Sequence, residues 1–189
     1  MITLIGILGT SGIGKSTLAN AMEEDVTTCT PNHIGLVYGL ADKLKKTSRE
    51  LFPLIKSYEY YQEHRKEKEL IIFDYKMSPR DIYIHVGLCM RKINPNVWID
   101  YLMTEIDSQV NDYVSIIADV RFENEVNVIK AKGGIIIKLE RETRIEMNTA
   151  DVFANFYEGA DITYKNNRSI KDLKSFGKEI VSKYIIERS

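Results

Sequence analysis

Residues Gly9-Thr10-Ser11-Gly12-Ile13-Gly14-Lys15-Ser16 match the spacing G-x-x-x-x-G-K-[ST]. Glycines let the main chain curl so that successive N–H groups point at one anion, and a following helix N-terminus adds partial positive charge. The pattern predicts a triphosphate site lined by Gly9, Ser11, Gly12, Gly14 and Thr17. Lys15 would reach the outer phosphates, and the Ser16 hydroxyl would ligate the Mg²⁺ that bridges them. An apolar run, Ile2 to Leu8, precedes the motif and suits a buried parallel strand. Leu18, Ala21 and Met22 follow at helical spacing, so the motif stands in the strand–turn–helix context that a phosphate loop requires.

Four further groups of residues bear on chemistry. Asp119-Val120-Arg121 closes a second apolar run, Val114 to Ala118. A carboxylate at the tip of a buried strand can hold Mg²⁺ through water, or orient a phosphoryl acceptor, as a Walker-B-like group does. Arg121 can grip an anion in bidentate fashion, with Glu125 a turn further on as its support. The plainer alternative is a capping aspartate beside a surface arginine. Arg80, Gly87 and Arg91 form the second group. Offsets of seven and eleven residues return to within about 20° of one helical direction, so two guanidiniums would flank a glycine on one stripe. That stripe suits a phosphomonoester or a transferring phosphoryl group, and equally describes a solvated basic face.

Arg141 and Arg144 follow the apolar run Ile135 to Leu139. A lid there, at about residues 141–158, would supply cations to a transition state. A surface helix salt-bridged through Glu140, Glu142 and Glu146 would look the same. Asp42 opens a helix, Leu40 to Phe52, after a short strand candidate, Ile34 to Tyr38, a place where an acceptor can be contacted. His33, His64 and His85 have no metal spacing.

The elements that must position these groups alternate strand and helix, and the strands read as continuous apolar runs. That pattern predicts an α/β fold with a parallel sheet of about five strands and helices on both faces, the three-layer arrangement of P-loop NTPases. Ser78-Pro79 and Asn94-Pro95 are helix starts. The last helix begins near Ser169, with Ile170, Leu173, Phe176, Ile180, Val181 and Tyr184 on one side. A chain of 189 residues predicts one domain, with a helical acceptor-binding region at about 41–112. A net charge of −1 argues against stable nucleic-acid binding. No apolar stretch reaches the ~20 residues of a membrane span, and no basic leader precedes the first strand. Cys29 and Cys89 read as reduced, buried thiols of a cytoplasmic protein. A homodimer is left open.

With these residues placed, the chain resembles the phage-type deoxynucleoside monophosphate kinases, within the P-loop nucleoside monophosphate kinase group. The matching pieces are Gly9 to Thr17, Leu40 to Lys45, Ser78-Pro79-Arg80 with Gly87 and Arg91, Asn96-Val97-Trp98, Asp119 to Glu125, and Asp161-Ile162-Thr163 with Asn166. The resemblance implies transfer of the γ-phosphoryl group of ATP, with Mg²⁺, to a dNMP, giving dNDP and ADP in the cytoplasm, the host's if the source is a phage. It also implies that Arg80, Arg91, Asp119 and Arg121 hold the monophosphate, and that Asn166 touches the donor base. A kinase for another small acceptor of the dephospho-coenzyme A kind shares the same strand–helix plan, and an NTP-binding switch shares the loop.

Overall fold

The computed structural model describes residues 3–30, 33–109, 113–141 and 151–186. They divide into two compact units: one comprises residues 1–40 and 102–189, the other residues 41–101.

The first unit is built on a five-stranded sheet. Its strands are β1 (Leu4–Leu8), β2 (Ile34–Tyr38), β3 (Tyr113–Val120), β4 (Ile135–Glu140) and β5 (Ile162–Lys165), in the order β2-β3-β1-β4-β5. Every pairing is parallel, as the continuous apolar runs predict. Alternation within each strand divides the packing. Ile5, Ile7, Val114, Ile116, Ile137 and Leu139 pack against α1 (Lys15–Cys29) and α8 (Ile170–Val181). On the opposite face, Gly6 is closed over by Ile129 of α6 (Glu123–Ala131) together with Val120 and Ile136, each within 3.1 Å of where a Cβ on Gly6 would lie. The three-layer expectation therefore holds in this unit.

Placing β1 between β3 and β4 makes the carboxyl ends of those three strands neighbours. In a doubly wound sheet this is where ligands collect. The tip of β3 is longer than expected: pairing with β1 continues to Val120, with a register shift between Gly6 and Leu8. Asp119 thus lies inside an irregular last turn of the strand, and not after it. Such irregularities bend a strand and re-aim its side chains.

The second unit is helical. It contains most of α2 (Leu40–Leu51), α3 (Tyr58–Glu63), α4 (Pro79–Ile93) and the start of α5 (Val97–Asp107). Ser78 caps α4 as its sequence predicts: its side chain accepts from the Asp81 N–H, while the Asp81 carboxylate accepts from Ser78. These hydrogen bonds, the Ser78 hydroxyl first, hold the Asp81 carboxyl below its ordinary range. Ser169 and Asp172 repeat the device at α8. The charged stretch after Tyr58 forms α3 and a 3₁₀ turn, Arg65–Glu69, with Tyr61 buried.

Two expectations change. Both cysteines are free, but exposed: Cys29 ends α1, and Cys89 lies about 200° around α4 from buried Gly87. Ile170, assigned to the apolar side of the last helix, is exposed where it starts α8. A short helix, α7 (Asp151–Phe156), occupies part of the polar segment, where six residues are too few to show periodicity. No helix among the described residues is long and apolar enough to cross a membrane.

Candidate active site

β1 ends at Leu8, and the chain turns through Gly9–Gly14 into α1. Gly12 and Gly14 hold φ of +74° and +107°, a region that L side chains avoid. Gly14 is the N-cap of α1, so the loop delivers its N–H groups to the positive end of a fifteen-residue helix. Ser11, Gly12 and Ser16 are exposed along the crest, while Ile13 anchors the loop in the core below. Lys15 is only 7% exposed. Its ammonium donates to the carbonyls of Gly9 and Thr10, both at 2.7 Å, which hold it across the mouth of the loop.

Beside this loop, Val120 of β3 pairs with Leu8 of β1. Asp119 Oδ1 accepts the N–H of Leu40, the first residue of α2, at 2.6 Å. The capping role is therefore real for one oxygen of this carboxylate. Glu125, 2% exposed, supports the next turn through the main chain: its Oε2 accepts from the N–H groups of Arg121 at 2.8 Å and Phe122 at 3.1 Å. This is how Glu125 fixes the backbone from which the half-buried Arg121 projects. Glu125→Ala removes an acceptor shared by two N–H groups at the head of α6. We expect it to lower the unfolding free energy by about 1–3 kcal/mol, measured by denaturant titration.

At the end of β4, Arg141 Nε donates to the carbonyl of Asn166 at 2.9 Å. Asn166 follows β5 and is 3% exposed. Its Nδ2 donates to the carbonyl of Ile13, in the middle of the glycine loop, at 2.8 Å. Residues 142–150, and with them Arg144, lie outside the described residues. Lys138 was not singled out from sequence, because a lysine in an isoleucine-rich strand reads as an edge residue. It is buried, and its ammonium bonds Glu140 and the carbonyls of Asn155 and Tyr157 at the end of α7.

The remaining candidates belong to the helical unit. Arg80, exposed near the start of α4, pairs with Glu69 at 2.7 Å. Arg91 is half-buried in the last turn of the same helix. Gly87 between them is buried: a Cβ there would lie 3.2 Å from Leu44, so Leu44 fills the space expected for a ligand. Asp42 is exposed and pairs with Lys45 at 2.9 Å.

Comparison with known proteins bears on this arrangement. No protein-family model matches the chain. The chain is 26% identical to a protein of Acanthamoeba polyphaga mimivirus named "Putative deoxynucleotide monophosphate kinase", over 92% of this chain and 93% of that one. The resemblance read from the sequence holds. Among solved structures, shikimate kinase from Aquifex aeolicus aligns over 92% of both chains with a TM-score of 0.43 and 14% identity.

Among the described residues, no three His, Cys, Asp or Glu side chains gather to hold a metal. A magnesium ion suits the donors that are present, since Mg²⁺ prefers one or two protein oxygens together with phosphates and water. The Ser16 hydroxyl and the Asp119 carboxylate are hard oxygen donors of that kind.

Proposed function

We propose that the protein is an ATP-dependent deoxynucleoside monophosphate kinase, transferring the γ-phosphoryl group of ATP to a dNMP. The observation that carries the reading is the glycine loop with Lys15 buried across its mouth, alongside a β3 tip bearing Asp119 and Arg121. The name of the mimivirus relative supports the choice of acceptor.

In this reading the loop's N–H groups and the head of α1 bind the triphosphate. Lys15 lies on the β- and γ-phosphates, where its burial strengthens every charge contact it makes. Ser16 and Asp119 hold Mg²⁺, which when bound neutralises charge on the outer phosphates. Arg121 grips the acceptor's monophosphate, with Glu125 fixing its backbone. Arg80 and Arg91 are further candidates for that anion, and Asp42 for contact with the acceptor. Phosphoryl transfer needs no covalent intermediate, because positioning and charge stabilisation carry it.

The direct test is a coupled assay across the common NMPs, dNMPs and dephospho-coenzyme A, with ATP and Mg²⁺. ADP release dependent on one or more dNMPs supports the reading. Turnover with dephospho-coenzyme A alone, or turnover stimulated by DNA and by no monophosphate, overturns it. For Arg121→Ala, we expect the acceptor KM to rise roughly tenfold or more, with ATP affinity retained, as for a lost charge-assisted bond. Unchanged acceptor kinetics would remove Arg121 from the clamp.

A further inference from the structure

Asn166 holds a position that a base-contacting side chain does not need. It follows the last residue of β5 and is bound at three points. Its N–H donates to the carbonyl of Glu140 at 2.7 Å, and its own carbonyl accepts Arg141 Nε at 2.9 Å. These two bonds tie its backbone to the end of β4. Its side-chain amide then crosses 153 residues of sequence to donate to the carbonyl of Ile13 at 2.8 Å.

The Ile13 carbonyl and the Gly14 N–H belong to one planar trans peptide unit, so they point in opposite directions. A carbonyl held inward by Asn166 therefore turns the Gly14 N–H away from Asn166. The local packing requires the same contact. A Cβ on residue 14 would lie 2.9 Å from Asn166 Nδ2 and 3.0 Å from Leu173, so the glycine at position 14 leaves room for the asparagine as well as for its own φ of +107°. An aspartate could not replace it, because the partner is a carbonyl and the residue at 166 must donate.

We infer that Asn166 is a positioning residue for the phosphate loop: it orients the Ile13–Gly14 peptide so that the Gly14 N–H faces the anion. The assignment rests on the proposed triphosphate site, and it differs from a contact to the donor's base. A loop-orienting residue affects every ligand that carries the phosphate chain, whatever base is attached. A base contact affects only nucleotides.

Calorimetric titration of MgATP, MgGTP and magnesium tripolyphosphate into the full chain separates these roles. The proteins compared are the wild type, Asn166→Ala and Asn166→Ser, whose hydroxyl stops one bond short of Ile13 and disturbs folding least. Thermal unfolding without ligand checks that each variant is folded. The expected result is a common loss of about tenfold for all three ligands, the size of one buried hydrogen bond. Weakened ATP with unchanged tripolyphosphate would overturn the assignment in favour of a base contact, and so would unchanged affinities in a folded variant. If the wild type binds none of the three, the triphosphate site itself falls. If it binds them and the variants match it, only the role of Asn166 falls.

Discussion

A Lys15→Met protein is expected to fold and to transfer phosphate at least about 10²-fold more slowly than the parent, the loss typical of a single preorganised donor to transition-state charge. Methionine keeps most of the buried stem and removes the charge. The ammonium is desolvated and held by the Gly9 and Thr10 carbonyls, so the protein has already oriented it before any phosphate arrives. That preorganisation is why its removal should act on kcat and on nucleotide binding together. The two carbonyls lose their donor, at a cost of about 1–2 kcal/mol in unfolding free energy. Steady-state kinetics and a denaturant titration on the same preparation check both halves. A folded variant with near-parent turnover would end the assigned role.

Asp119→Asn should cost kcat about 10²-fold and shift half-activation to higher magnesium concentration, while leaving stability almost unchanged. The carboxamide keeps an oxygen for the Leu40 N–H, so the cap at the head of α2 survives while the negative charge is lost. Asp119→Ala loses the cap as well, and should be less stable than Asp119→Asn by about 1 kcal/mol. The pair of variants thus separates the two readings of this residue, metal ligand and helix cap. A magnesium titration of activity is the deciding measurement. If Asp119→Asn follows the parent curve, the aspartate is only a cap.

The strand–turn–helix around Gly9–Ser16 was legible because everything it needs is local: glycines for the turn, a preceding apolar run and helical spacing after it. The Ser78-Pro79 start of α4 was legible for the same reason, since a helix cap is made within four residues. Alternating apolar runs were enough to predict a parallel sheet with covered faces.

Other features depend on which segments meet. Strand order sets β3 and β4 on either side of β1, and it is decided by hydrogen bonds between stretches far apart in the chain. The resemblance marks Asn166 only as a contact to the donor base; its bond to the Ile13 carbonyl forms once β5 lies beside β4. Lys138 looks misplaced in β4 until the end of α7 brings it two carbonyls. The cysteines were expected inside because their side chains are apolar, but exposure depends on which side of a helix is covered. The amino-acid sequence by itself determined the glycine-rich strand–turn–helix and the local elements that frame it. Only the tertiary structure decided which distant groups hold the loop in shape, because a hydrogen bond across 153 residues leaves no periodic trace along the chain.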